Sequence, residues 1–405
     1  MYNKNMKRTL YLDMLNNVVN DKKILLVTGA RQAGKTTIAK QFMEGFTNKI
    51  YFNYDSDRKY LLNNPKFYEE QNKTDDSPLL AVFDELHKYK NWKTYMKGNY
   101  DRNRDDFRFI VTGSGDLNIS YKTKESLAGR FELIHVFPFT LNEFFSRRTY
   151  NDFFKNPVEL SGFNNNKASS ETMENLLSTS PFPEPFLKSS KHFYKRWAKS
   201  YFPQIINIDL KYSAVFHELD KLETLFDILS LKVCSGFSFS NVANDIEVSP
   251  PTVKQWMKLL ESHFLTFSIT PYGKFTRTIK KQKKVYLHDY GRIENESSKY
   301  ENFIALELFR FVKNASDIGE EVDIFYLKDK DQREVDFLIT YNGKPFLLIE
   351  AKENEEETKN LKHFQNMFKI PAILLLRKSG VHKLITNDKY KITIVSAERF
   401  LSTLP

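Results

Sequence analysis

Gly29, Gly34, Lys35 and Thr36 fill the pattern G-x-x-x-x-G-K-[ST] directly after the apolar run Ile24-Leu25-Leu26-Val27. This spacing suits a phosphate chain. The two glycines open backbone conformations closed to other residues, so the amides from Gly29 through Ala30, Arg31, Gln32, Ala33 and Gly34 to Thr37 can turn toward one phosphate. The helix that follows adds its positive end. Lys35 would reach the β and γ phosphates of a nucleotide, and the Thr36 hydroxyl would join phosphate oxygens and water around Mg2+. An apolar run without alternation is what a parallel strand covered on both faces requires.

A second landmark is Leu79-Leu80-Ala81-Val82-Phe83-Asp84-Glu85. It reads as a buried strand whose carboxyl end presents two acids beside the phosphate loop, where ligands bind in open α/β sheets. Asp84 would hold magnesium through its water shell, and Glu85 would orient or deprotonate the attacking water. A third strand, 107–115, ends in small polar residues. There Thr112 and Ser114 either sense the γ phosphate or form an ordinary turn. Arg130, just past Gly129, is suited to be an arginine finger for a neighbouring subunit's nucleotide or else to make a structural salt bridge. The finger would require a homo-oligomer.

Far downstream, Asp336, Glu350 and Lys352 fit the spacing D-x13-E-x-K of metal-dependent nucleases. Asp336 and Glu350 would hold magnesium while Lys352 activates water or stabilises the charged transition state. Glu350 and Lys352 share a strand face, because side chains repeat every two residues. Asp336 joins them only if the hairpin cooperates. A plain two-residue turn at Asn342-Gly343 would put it on the opposite face, so the constellation requires a three-residue turn or an equivalent bulge. The alternatives are an inherited site now used for binding, or plain strand-edge charges.

The elements that must position these groups follow from periodicity. Residues 7–20 read as an amphipathic helix, 37–46 as the helix after the loop, 50–54 as a strand, and 151–180 as a polar, loosely packed insertion. Residues 239–246 and 249–260 read as a helix-turn-helix, with Ser249 as N-cap, Pro250 in the first turn, and Thr252, Lys254, Gln255 and Lys258 facing outward. A wing would follow to residue 286, with Lys274, Arg277, Lys280, Lys281, Lys283 and Lys284 available for DNA phosphates. Such a module serves equally as a lid or docking surface. Residues 300–308 read as a helix, and 324–327, 334–340, 345–351, 371–376 and 390–395 as strands.

Composition sets outer limits. The chain has 405 residues, a net charge of +10, 41% hydrophobic residues and a single cysteine, Cys234. Positive charge favours a polyanionic partner. One cysteine excludes a disulfide within the chain and argues against a zinc site. No apolar run approaches membrane-spanning length, and the start shows no signal peptide, so a cytoplasmic protein without membrane contact is expected.

Gly29 to Thr36, Val82 to Lys88, Thr112-Gly113-Ser114, Ser126 to Arg130 and Phe182 to Leu187 occur in the order seen in a prokaryotic AAA+-like ATPase family, which this chain resembles along almost its whole length. It departs at Pro181 and Phe182, where the family usually carries glycines. The resemblance implies ATP as the nucleotide, and a fold of α/β class. A P-loop NTPase parallel sheet at 1–204 would precede a winged-helix domain at 205–285 and a small α/β restriction-endonuclease-like domain at 286–405. It also implies an acid on the helix that carries Glu301.

Overall fold

The computed structural model describes residues 6–115, 127, 129–145, 148–160, 167–206, 218–273, 282–387 and 390–405. The expected wing residues Lys274, Arg277, Lys280 and Lys281, and the stretch 161–166 of the expected insertion, lie outside them. The chain divides into two units. One comprises Met1–Pro138 with Phe202–Val215 and Ser262–Phe264; the other comprises Phe139–Tyr201, Phe216–Glu261 and Leu265–Pro405. No helix among the described residues is long and apolar enough to cross a membrane.

The first unit is built on five parallel strands, β1 (Ile24–Gly29), β2 (Lys49–Asn53), β3 (Leu79–Asp84), β4 (Phe107–Gly113) and β5 (Phe131–Val136), in the order β2-β3-β4-β1-β5. Every residue of β1 and of β3 is buried, as their unbroken apolar runs require. Helix α1 (Thr9–Val19) buries Leu10, Tyr11, Met14, Leu15 and Val19, one stripe at helical spacing. Helix α2 (Lys35–Met43) follows the phosphate loop, and α3 (Tyr54–Asn63) starts on an Asn53 cap that accepts the Asp55 and Ser56 amides. An aromatic cluster of Phe52, Phe67, Tyr68, Phe83, Phe107 and Phe109 fills the core beside β3. Helix α4 (Trp92–Asn103) adds Trp92 and Met96 to it. The register pairs Thr28 with Gly113 and Asn53 with Asp84, so the functional strands end level with one another.

In the second unit an eight-stranded mixed sheet runs β12-β13-β11-β10-β9-β8-β6-β7. Its strands are β6 (Thr266–Pro271), β7 (Lys284–Leu287), β8 (Val322–Lys328), β9 (Glu334–Tyr341), β10 (Lys344–Lys352), β11 (Ala372–Leu376), β12 (His382–Asn387) and β13 (Tyr390–Ser396). The expected wing strands β6 and β7 therefore continue into the carboxy-terminal sheet, because β6 pairs in parallel with β8. The sheet crosses the expected domain border at 285/286. Helices at Phe239–Asp245 and Pro250–Ser262 form the expected pair, the second burying Val253, Trp256, Met257 and Leu260.

The expected loose insertion is a correction. Helices at Tyr150–Lys155 and Lys167–Ser178 occupy much of 151–180, and they bury Phe153, Met173, Leu176 and Leu177. Many Ser and Thr residues masked that stripe; Ser169 and Thr172 are themselves buried.

A close steric constraint lies at Gly29, where a Cβ would stand 2.0 Å from the Val136 carbonyl oxygen of β5. Gly29→Ala is expected to destabilise the first unit by about 3 kcal/mol, read as an earlier unfolding transition. An unchanged transition would show that β1 and β5 can separate there at no cost.

Candidate functional site

The phosphate loop between β1 and α2 carries two left-handed residues, Gln32 at φ 61° and Gly34 at φ 96°. Anion-binding nests are made from backbone of this kind. The ammonium of Lys35 is buried and donates to the carbonyls of Gly29 at 3.0 Å and Ala30 at 2.8 Å, so it spans the loop it serves. Ala33 is buried, Arg31 is half-buried and Thr37 is exposed in the first turn of α2. A second cation braces the loop. Arg8, just before α1, donates from Nη1 to the Ala33 carbonyl at 2.6 Å and from Nη2 to the Phe137 carbonyl at 2.9 Å. Its guanidinium also lies 4.6 Å from the centre of the Tyr11 ring. Nothing in the local pattern of residues 7–20 singles out this role.

Asp84 is the centre of the site. Its buried carboxylate accepts the Thr36 hydroxyl at 2.9 and 3.1 Å, the Tyr51 hydroxyl at 2.5 Å and the Asn53 amide at 3.1 Å. The Thr112 hydroxyl also donates to it. Four side chains from β2, β4 and α2 thus converge on one acid at the end of β3. Burial and the Asp84 hydrogen bond push the Tyr51 phenol well above its ordinary range, which keeps it protonated and donating. Alternation could have revealed Tyr51 and Asn53, since both stand on one face of β2 and Asn53 pairs with Asp84. The donor set fits magnesium, because Thr36 and Asp84 offer hard oxygens next to the loop. Among the described residues no group of three or more His, Cys, Asp or Glu could hold a metal by itself. An ion that takes much of its shell from phosphates and water needs no such group.

The other expected residues are placed less uniformly. Glu85 is left-handed, at φ 57°, and its carboxylate lies 3.2 Å from Lys88, which also binds Asp55 at 2.6 Å. Ser114 is buried, its carbonyl accepts the Thr28 hydroxyl at 3.4 Å, and its own Oγ has no hydrogen-bond partner among the described residues. Arg130 pairs with Asp101 of α4, Nε to Oδ1 at 2.7 Å. Its carbonyl accepts the Ile24 amide, so it stands at the amino end of the sheet, away from its own chain's loop.

In the second unit the hairpin problem is solved by a bulge. Asn342 and Gly343 form a tight turn, both at positive φ, with Tyr341 opposite Lys344. The register then shifts between Pro345 and Leu347, so Ile349 faces Phe337 and Glu350 comes opposite Asp336. Asp336, Glu350 and Lys352 therefore share a face as the spacing requires. The Lys352 ammonium lies 3.4 Å from Glu350. Burial, then the neighbouring Asp336 carboxylate, pushes Glu350 up to about 7, with Lys352 pulling the other way.

Lys284 corrects an expectation. Instead of facing DNA phosphates from the wing, it is buried among Glu334 at 2.6 Å, Glu301 at 3.2 Å and Asp336 at 3.7 Å. Despite the cost of burial, these acids hold its ammonium well above the ordinary lysine range. Lys283 remains exposed.

Two outcomes follow from this geometry. Arg8→Ala removes a charged donor from the loop and should lower nucleotide affinity about tenfold by calorimetry; unchanged affinity would make Arg8 a packing residue only. Because the Glu350 carboxyl is raised in the folded state, its contribution to stability is full below about pH 4.5 and is lost as pH rises through about 7. Glu350→Gln should therefore gain stability relative to the parent over that interval, by about 1–3 kcal/mol in denaturant titrations. A pH-independent difference would contradict the burial argument.

Comparison with known proteins agrees with the first unit and leaves the second open. Residues 21–145 match a family model described as an AAA domain. Residues 170–294 and 297–397 match two domains of unknown function, DUF8612 and DUF4143. An uncharacterized protein of Methanocaldococcus jannaschii is 27% identical over 317 residues, covering 70% of this chain but only 65% of its own length. An uncharacterized protein of Haemophilus influenzae is 21% identical over 398 residues, covering 89% of this chain and 91% of its own. Among solved structures, a Walker-type ATPase of Pyrococcus abyssi aligns at TM-score 0.42 with 14% identity, over 70% of this chain and 93% of that one. The AAA-domain match over residues 21–145 coincides with the five parallel strands and with the phosphate loop joined to Asp84.

Proposed function

We propose that the chain binds and hydrolyses ATP and uses the nucleotide cycle to act on DNA. The observation that carries the ATPase reading is the Thr36–Asp84 contact. It puts a loop hydroxyl and a strand-end carboxylate at one point beside the phosphate-binding amides. Thr36 and Asp84 would hold magnesium, which when bound neutralises charge on the phosphates. Lys35 would exchange its loop carbonyls for phosphate oxygens. Glu85 would position the attacking water, and Thr112 would report on it through Asp84. Arg130 would serve a neighbouring protomer after release from Asp101, which asks for ATP-dependent self-association.

The DNA reading is supported by the helix Pro250–Ser262, which exposes Lys254, Gln255 and Lys258 opposite its buried face. One observation favours a second reading, a nucleotide-dependent binding or remodelling protein without nuclease action. Lys284 is committed to acids, so the basic wing is weaker than its sequence suggests.

ATP turnover measured with and without duplex DNA at about 50 and 200 mM salt separates the two, since phosphate contacts weaken steeply with salt. The DNA reading expects stimulation that fades at the higher salt; turnover indifferent to DNA would contradict it. In the same assay Lys35→Ala should abolish nucleotide binding. Glu85→Gln should keep binding while losing about 100-fold or more in turnover, and near-normal turnover would remove Glu85 from the mechanism.

A further inference from the structure

Between Glu184 and Asp209 the sequence holds five basic residues, Lys188, Lys191, Lys195, Arg196 and Lys199, and no acid. Four of them lie on the helix Lys191–Gln204. Helical spacing sorts that segment into two faces. The inner one buries Tyr194, Trp197 and Tyr201. The Trp197 and Tyr201 rings stack with centroids 4.4 Å apart, and Phe182 lies 5.1 and 4.9 Å from them. Tyr194 donates its hydroxyl to Asp289 at 3.1 Å, and the Ala198 carbonyl accepts from Arg292 at 2.7 Å. The helix is thus held by its aromatic face.

The opposite face carries charge. Lys191, Lys195, Arg196 and Lys199 are exposed, as is Lys188 at the end of the preceding helix, Pro183–Lys188. Lys191, Lys195 and Lys199 recur every four residues, so they form a row with about 6 Å between neighbours. Lys188 and Arg196 both reach the half-buried Phe193, with the ammonium 5.8 Å and the guanidinium 5.9 Å from the ring centre. Among the described residues no acid pairs with any of the five. Other lysines of the same unit do have partners on their own helices: Lys167 has Glu171 at 3.6 Å, Lys221 has Glu218 at 3.6 Å and Lys299 has Glu296 at 2.9 Å.

We propose that this row is a second contact for the phosphate backbone of duplex DNA, in addition to the helix Pro250–Ser262; it rests on the DNA reading above. A duplex presents one negative charge per about 1.7 Å of its axis, so a row about 12 Å long meets several phosphates at once. Counterions released from those phosphates drive the binding. Lysines contact phosphates as point charges, so the row positions the duplex without reading its sequence. A membrane surface is the poorer match. Helices that lie on lipid expose Trp, Phe or Leu opposite their cations, whereas Trp197 and Tyr201 are buried against Phe182.

The test is anisotropy titration of a labelled duplex with the full chain between about 50 and 200 mM salt. It compares the parent with Lys191→Gln/Lys195→Gln/Lys199→Gln and with Lys254→Gln/Lys258→Gln. The triple variant should bind at least about tenfold more weakly, and its slope of log affinity against log salt should be shallower by about 2–3, equally for two unrelated sequences. Parent-like affinity and slope in the triple variant, with loss confined to the double variant, would overturn the inference and leave the DNA reading standing. A parent that does not bind duplex would remove both. Vesicles containing phosphatidylserine form a control: vesicle binding lost in the triple variant while duplex binding stays intact would assign the row to a membrane and overturn the proposal. The melting temperature of the triple variant should equal that of the parent. If it falls, Lys191→Arg/Lys195→Arg/Lys199→Arg, which keeps the charges, must bind as the parent does, and failure to do so would overturn the phosphate assignment.

Discussion

A buried carboxylate must be surrounded by donors, and Asp84 meets that demand with four side chains. The requirement reaches through the first unit. It fixes the level at which β2, β3 and β4 end, because Asn53 and Tyr51 must come alongside Asp84 from one neighbour and Thr112 from the other. It also anchors the start of α2, because the Thr36 hydroxyl is one of the donors. The phosphate loop is pinned at both ends: by Thr36 on Asp84 after the loop, and by β1 against β5 before it, where Gly29 leaves no room for a side chain.

The same principle organises the second unit with the charges reversed. Lys284 is the buried cation, and acids from β9 and from the helix Glu296–Asp317 supply what it needs. Breaking such a group by removing one partner is costly, since the remaining charges stay buried. Both units thus hold a cluster of hydrogen-bonded polar side chains against the strands of a sheet. Only the first puts it next to backbone built to receive an anion. That difference, more than the shared α/β character, distinguishes the two clusters.

Much of the first unit was legible in the sequence because its determinants are local. Glycines, a lysine and a hydroxyl at fixed spacing, and an apolar run ending in two acids, each specify their own backbone. The hairpin was legible in a different way: the opposed faces of Asp336 and Glu350 required a register shift, and the bulge between Pro345 and Leu347 supplies it. What stayed hidden depends on distant pairing. Arg8 reaches Ala33 and Phe137 across 25 and 129 residues of sequence, and no pattern around Arg8 encodes that. Lys284 read as one more surface lysine in a basic run until the pairing of β7 with β6 carried it inward. The helix Lys167–Ser178 was obscured because hydroxyl residues share its buried stripe.

The central claim, that Asp84 couples the phosphate loop to a magnesium ion, is tested most directly by ATP titration calorimetry with and without Mg2+ on the parent chain and on Asp84→Asn. The account predicts that Mg2+ tightens ATP binding to the parent and that Asp84→Asn loses this gain while still binding ATP through the loop. A full magnesium gain retained by Asp84→Asn would contradict it.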